Sequence, residues 1–451
     1  MIIMSLTSEQ FNSIQELYES KLIVAIPGAG KTHTSITAAS NIIQDNPDNR
    51  LLMVTFTNAA TKEISDRLAR SLNPALLERV EVRTFASIML EHAAFLRGKR
   101  KLLLGAEQSM YVNRVLQSSE VRLKLMKALG YPANYNKHGR LIEPFKEEDY
   151  IEAVSELSEG FARVSRAYPE ELSESPVDYA YRQYKELLEK HQRVDLDLIS
   201  KQLLDALLAG NIEPLSFTHI IVDEFQDSDY LQYIWLLMHW EAGSHVVVIG
   251  DDDQSIYGWR GAQGIENMAS FLDQFNASQY SLQACFRCAP EILNFAGTLI
   301  DCNQQRIPKK MRSMAKPGGK VSVIEFQSHD LKKLLSSEEA CALLATQFGA
   351  NWRQEGYTLK DLNLKKDEQP EAHKLVAAEL SKEPGGWAVL ARGNASLDLM
   401  EAALHELDVP TVRLGGKSIW DNESAVGLLN IMYGLCYAND PSILVNGLSW
   451  V

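Results

Sequence analysis

A chain of 451 residues with 45 Lys+Arg against 59 Asp+Glu carries a net charge of −14, which excludes a general polycation for nucleic acid. Any contact with a polyanion has to be confined to a groove where basic and aromatic residues face it. A hydrophobic content of 45% is ample for buried cores, and the length suggests about three domains. Residues 1–4 are too short for a signal peptide and no apolar run approaches membrane-spanning length. The five cysteines form no disulfide-framework pattern, so the expected setting is cytoplasmic, with no membrane partner.

In chain order, apolar runs at residues 21–26, 50–56, 79–84, 217–222, 244–249 and 278–284 each end in a polar turn. This pattern predicts an α/β fold with a parallel sheet and ligands at the carboxyl ends of its strands. The first run leads into Pro27-Gly28-Ala29-Gly30-Lys31-Thr32. Counted from Ala25, this is a phosphate-cradling loop with alanine in place of the first glycine. Gly28 and Gly30 let backbone N–H groups turn toward phosphates, and the next helix N-terminus adds partial positive charge. Lys31 is placed to reach the β/γ-phosphates and Thr32 to hold Mg2+.

Between residues 91 and 214 helical periodicity replaces the strands, as in Tyr181-Arg182-Gln183-Tyr184-Lys185-Glu186-Leu187-Leu188, predicting a helical insert over residues 92–189. Asp195-Leu196-Asp197 after it reads as structural. The fourth apolar run ends in Asp223-Glu224-Phe225-Gln226-Asp227. Downstream of a phosphate loop, such an acid pair binds Mg2+ through Asp223 and orients water through Glu224. The fifth run opens Gly250-Asp251-Asp252-Asp253-Gln254-Ser255-Ile256-Tyr257-Gly258-Trp259-Arg260-Gly261-Ala262. Its carboxylates and amide suit a phosphate–magnesium site, while aromatics beside arginine suit stacking on unpaired bases. One segment carrying both implies nucleotide hydrolysis wired to nucleic-acid binding.

Other features read more plainly. Cys285-x-x-Cys288 with Cys302 lacks a fourth ligand at finger spacing, so zinc is not expected. Residues 96–101 are basic, a solvated surface as readily as a DNA contact. The Pro/Gly-rich stretch 308–319 predicts a connector before a new strand at 320–326, and residues 355–385 read as a charged surface excursion.

These segments, in this order, resemble the superfamily 1 DNA helicases of the UvrD/Rep/PcrA type. Residues 6–10 resemble the adenine-reading Q motif, 25–32 motif I, 54–58 motif Ia, 82–87 motif Ib, 221–227 motif II and 250–262 motif III. Residues 282–288 resemble motif IV, with Phe286 where the family usually has tyrosine; 387–392 and 414–416 resemble the second motor domain more weakly. The resemblance implies a first RecA-like ATP-binding domain at 1–91 and 190–288, an accessory insert at 92–189 and a partial second RecA-like domain at 289–451. It implies ATP and Mg2+ held by Ala25, Ile26, Pro27, Gly28, Ala29, Gly30, Lys31, Thr32 and His33, with Asp223 as the metal partner. Gln10 would read adenine, Phe286 would stack on it, Glu224 would activate water and Gln254 would sense the γ-phosphate. Arg287 would stabilise transition-state charge from the second-domain side. Single-stranded DNA would lie against Phe56, Asn58, Thr84, Phe85, Tyr257, Trp259 and Arg260.

The implied activity is an ATP-dependent single-stranded DNA translocase or helicase, 3′-to-5′, working on single strands or tailed duplexes in repair, replication or defence. The family's motifs V and VI do not appear before Val451. The isolated chain is therefore expected to bind ATP and single-stranded DNA but to hydrolyse and unwind poorly, unless a partner or a missing carboxyl-terminal portion supplies them. The alternative is an ATP-gated DNA-binding subunit of a larger assembly.

Overall fold

The computed structural model describes residues 6–258, 261–322, 371–382, 386–391 and 393–413. Six strands form one sheet: β1 (Lys21–Ala25), β2 (Leu51–Thr55), β3 (Val80–Thr84), β4 (His219–Val222), β5 (His245–Gly250) and β6 (Ser278–Leu282). Their spatial order is β6-β1-β5-β4-β2-β3, and every neighbouring pair is parallel. The four inner strands are almost wholly apolar and buried, as strands covered on both faces must be. The edge strands, Val-Glu-Val-Arg-Thr and Ser-Gln-Tyr-Ser-Leu, carry polar residues and stay partly exposed.

Alternation along the strands divides their side chains between two cores. Leu22, Val24, Leu52, Val54, Ile220, Val222, Val246 and Val248 pack with Phe85, Trp235 and Phe271. Ile23, Ala25, Leu51, Met53, Ile221, Val247 and Ile249 pack with Ile36, Ala39 and Ile43 of the helix Lys31–Asp45 and with Ile64 and Leu68 of Asn58–Ser71. Because all six strands run the same way, every turn that carries a candidate motif emerges on one edge. Across that edge the turns read motif IV, the phosphate loop, motif III, motif II, then the Phe56 and Thr84 turns.

The insert has its own core. Helices Gly105–Leu116, Ser119–Ala128, Glu148–Arg166 and Pro176–Lys190 bury Tyr111, Tyr150, Phe161, Tyr181, Tyr184 and Leu188 together. The chain leaves for the insert and returns through a parallel pairing of Lys101–Leu102 with Arg193–Val194. Asp195 caps the next helix, accepting from the Leu198 N–H at 2.8 Å, and also accepts the Tyr184 hydroxyl at 2.7 Å. Asp197 lies 3.4 Å from Arg166, and burial raises its pKa to about 6. Both acids serve the architecture, as read.

The first compact unit extends through Val321, beyond the expected boundary at residue 288. The reason is packing. Leu293 of the helix Pro290–Ile300 enters the second core, and Arg312–Ser313 pairs in parallel with Ala284–Cys285. In the unit Ser322–Val451, helices Glu371–Ser381 and Asn394–His405 pack through Ala377, Met400, Ala403 and Leu404. Residues 323–326 of the expected strand, residues 355–370 and 383–385 of the expected surface excursion, Arg392 and residues 414–416 lie outside the described residues, and the helix Glu371–Ser381 occupies part of that excursion. No described helix is long and apolar enough to cross a membrane.

Candidate nucleotide and strand-binding site

The phosphate loop closes on two glycines with left-handed backbone, Gly28 at φ +74° and Gly30 at φ +82°. Gly30 is also the N-cap of the helix Lys31–Asp45, which has no side-chain cap and no acidic residue in its first turn. Nearby helices are capped by Thr57, Thr84 and Asp229. The Lys31–Asp45 helix instead leaves its first N–H groups for an outside acceptor, the arrangement that binds anions. Thr32 stands on that first turn, and the adjoining His33 has a buried Nε2 with no hydrogen-bond partner.

Lys31, with a side chain only 12% exposed, meets the Glu224 carboxylate at 2.5 Å. The Gln226 amide donates to the same carboxylate at 2.9 Å, while its oxygen accepts the Asp251 backbone N–H at 3.0 Å. The Asp251 carboxylate accepts from the Gln254 amide at 2.5 Å. Hydrogen bonds thus run without a gap from the phosphate loop through motif II to motif III. Glu224 itself has φ +54°, a strained backbone for a residue with a Cβ and the kind of strain that collects at working sites.

Asp223 is almost fully enclosed. Burial, then the neighbouring Glu224 carboxylate, raise its pKa to about 6 against the pull of Lys31. Asp227 is raised to about 6 by burial and then by Glu224, and its Oδ1 is buried without a partner. One ammonium faces the carboxylates of Asp223, Glu224 and Asp227, so the cluster is short of positive charge. Thr32 and Asp223 fit a divalent cation and the uncapped helix end fits phosphates.

On the base side, Gln10 forms a capping box with Thr7, and its amide donates to the Ala29 carbonyl at 3.0 Å. It braces the loop as well as flanking it. The Phe286 N–H donates to the Gly28 carbonyl at 2.9 Å and its ring is exposed beside the loop. A Cβ on Gly28 would sit 2.7 Å from the Arg287 Cβ. Arg287, at the carboxyl end of the expected first domain, lies within the first compact unit against the phosphate loop. The short Ala284–Cys285 strand, tied to Arg312–Ser313, directs it there.

The strand-facing candidates divide. Phe56 is half-buried, 5.4 Å from Phe85 between ring centroids; Asn58 is exposed on the first helical turn; Tyr257 is half-buried. The Thr84 hydroxyl accepts the Ser87 N–H as an N-cap. Phe85 departs from the expectation of a strand contact. It is 1% exposed, packs edge-on to Trp235 and supports Phe56 from below, so no base can reach its face. Trp259 and Arg260 lie outside the described residues.

Sequence reasoning missed Gln226, Arg306 and Lys309. Among the described residues, Asp251, Asp252 and Asp253 form the one group of three acids whose ligand atoms converge. Lys309 occupies its centre, touching Asp251 and Asp252 and lying 2.9 Å from Asp253. Burial alone would lower the Lys309 pKa, yet the three carboxylates hold it above its ordinary value. Arg306 adds a contact to Asp253 at 2.9 Å. The charge of the triplet is thus met from within the chain. Its sequence signal was charge complementarity between the triplet and a Lys-bearing connector. Cys285 and Cys288 are free thiols, the Cys288 N–H donating to the Cys285 Sγ at 3.4 Å.

A doubly covered parallel sheet gathering a phosphate loop, an acid pair and a glutamine-bearing turn on one edge defines a RecA-like P-loop motor domain. The chain belongs to the UvrD/REP helicase N-terminal domain family, which it matches over residues 6–276. It is 29% identical over 336 residues to the ATP-dependent DNA helicase Rep of Buchnera aphidicola subsp. Schizaphis graminum, covering 71% of this chain and 48% of that protein. It is 27% identical over 422 residues to DNA helicase II of Haemophilus influenzae, covering 89% and 50%. Against the ATP-dependent DNA helicase PcrA of Leuconostoc citreum it is 24% identical over 452 residues, covering 95% and 52%. The chain spans about half the length of the curated relatives it matches.

Proposed function

We propose that this chain forms the ATP-binding and strand-gripping part of an ATP-dependent single-stranded DNA translocase, a 3′-to-5′ helicase acting in the cytoplasm on single strands and tailed duplexes. The observation that carries this reading is the hydrogen-bonded path from Lys31 through Glu224, Gln226 and Asp251 to Gln254, which continues in sequence to Tyr257. Residues suited to the γ-phosphate and to a base thereby share one turn. The names of the relatives, two of them ATP-dependent DNA helicases, support the same reading.

In this mechanism the uncapped helix end and Lys31 receive the phosphates. Thr32 and Asp223 would hold Mg2+, which would supply charge neutralisation at the phosphate oxygens. Lys31 exchanges Glu224 for phosphate, and that carboxylate becomes available to orient water and accept its proton. Arg287, pressed against Gly28, adds positive charge on the motif IV side. Gln254 passes the state of the phosphates to the turn holding Tyr257.

Binding of a fluorescent ATP analogue with Mg2+, followed by phosphate release with and without oligo-dT, tests the assignment. Glu224→Gln should retain nucleotide while losing hydrolysis, whereas Lys31→Ala should lose both. Failure of the wild-type chain to bind Mg·ATP would refute the proposal.

A further inference from the structure

Residues 306–314, which overlap the connector expected at 308–319, are bonded at both ends to the candidate site. At one end the Ile307 N–H donates to the Asp252 carboxylate at 2.8 Å, Arg306 contacts Asp253, and Lys309 enters the carboxylates of Asp251, Asp252 and Asp253 with a side chain 2% exposed. At the other end the Arg312 N–H donates to the Gln283 carbonyl at 2.9 Å and the Met314 N–H to the Cys285 carbonyl at 2.8 Å. The Ser313 hydroxyl donates to the Cys288 carbonyl at 2.7 Å. The Arg312 guanidinium meets Glu9 at 3.1 Å, and Glu9 in turn accepts the Gln283 N–H at 2.8 Å. One short segment therefore ties the turn carrying Gln254 to the strand end carrying Phe286 and Arg287.

The two ties differ in kind. The far end is a strand pairing that resists sliding. The near end is a buried ion cluster, where separation leaves carboxylates desolvated and unpaired, a cost well above that of a surface pair. Displacement of the Gln254 turn without the segment is thus opposed by burial, and displacement of the segment without the motif IV strand by backbone hydrogen bonds.

We propose that residues 306–314 act as a strap, with Lys309 as its positioning residue, making the Gln254 turn and the Phe286–Arg287 loop shift as one when nucleotide binds. The strap carries nucleotide occupancy to the strand side of the same turn. The proposal rests on the nucleotide and single-strand binding proposed above.

The test is the ratio of oligo-dT affinities of the full chain with and without Mg2+ and a non-hydrolysable ATP analogue, since such a ratio is the coupling between two sites. The wild-type chain should show a ratio of roughly fivefold or more. Lys309→Met should lower it to the part carried by the Gln226 path while each ligand alone still binds, and Arg306→Gln, which removes the contact to Asp253 together with that to Asp301, should lower it by less. If circular dichroism shows that Lys309→Met does not fold, Arg306→Gln carries the test. A purely architectural lysine would lower the melting temperature and leave the ratio intact. Wild-type chain that binds both ligands without coupling, or variants that keep the wild-type ratio, overturns the strap alone. Wild-type chain that binds neither ligand overturns the nucleotide reading and the strap with it.

Discussion

Gly28→Ala is the sharpest probe of how motif IV sits on the phosphate loop. Two terms act at this position. Left-handed backbone at φ +74° costs an alanine about 1–2 kcal/mol, partly offset by about 0.4–1 kcal/mol of lost unfolded-chain entropy. The second term is steric. The new methyl would lie 2.7 Å from the Arg287 Cβ, 3.1 Å from the Cys285 Sγ and 3.3 Å from the Arg287 nitrogen. Ordinary carbon contacts begin near 3.5 Å, so the motif IV backbone has to retreat by roughly 1 Å, an overpacking cost of about 1–3 kcal/mol. Gly210→Ala supplies the control, because Gly210 has φ +66° but nothing within 4 Å of its Cβ position. Urea unfolding should therefore show Gly28→Ala about 1–3 kcal/mol less stable than Gly210→Ala. Fluorescent-nucleotide titration should show at least about tenfold weaker binding for Gly28→Ala alone, the equivalent of some 1.4 kcal/mol. Equal destabilisation of the two variants with unchanged nucleotide affinity would refute the packing argument.

Lys31→Ala should reduce ATP turnover by roughly 100-fold or more, as loss of a charge-stabilising donor does. Its melting temperature should change little, since Glu224 is 42% exposed and regains water; a collapsed fold would contradict this. Phe56→Ala should weaken oligo-dT binding by roughly 1–3 kcal/mol with modest loss of stability. Phe85→Ala should instead cost about 3–5 kcal/mol of stability, so the reverse pattern in paired binding and melting measurements would exchange their roles. His239 is buried and held neutral: its Nδ1 faces the Trp235 carbonyl at 2.7 Å and its Nε2 accepts the Leu215 N–H at 3.0 Å. Burial, opposed by the Trp235 carbonyl and assisted by His92, lowers its pKa from 6.5 to about 4. The unfolded chain thus takes up the proton first, and stability falls as pH drops from 6.5 toward 4, by about 3 kcal/mol at this site. Urea midpoints of the wild-type chain and His239→Gln should diverge over that window, and parallel curves would count against the assignment.

The four inner strands were legible because each, buried on both faces, is a continuous apolar run ending in ligand-type residues. Periodicity likewise marked the insert's helices, since their apolar stripe has a core of its own to face. The spatial order of the strands was not legible: neighbours such as β1 and β5 are far apart in sequence, and only the crossovers bring them together. Phe85 was readable in principle. With Ile88 and Met89 it forms an i, i+3, i+4 apolar face, the mark of a core-facing helix. Motif resemblance alone assigns it to DNA, although its periodicity points inward. Lys309 could not be found locally, because its three partners lie more than fifty residues upstream and a lysine in a connector reads as solvated. Arg287 was assigned by motif, but its side of the site depends on the Ala284–Cys285 pairing, which carries no periodic signal.

The parallel pairing at the base of the insert has a consequence for modularity. Lys101 and Arg193 are neighbours across one strand gap, with the Lys101 N–H donating to the Gln192 carbonyl at 3.0 Å. Adjacent strands are about 4.8 Å apart, so a chain cut before Lys101 and resumed at Arg193 needs only one or two residues to close. No strand of the central sheet shifts in such a graft. A helical body exchanged at this point has to supply partners for Asp195, Asp197 and Lys201 of the motor part, which bond Tyr184, Arg166 and Tyr181 of the insert. A motor built this way acquires new accessory surfaces by swapping a cartridge at a fixed socket.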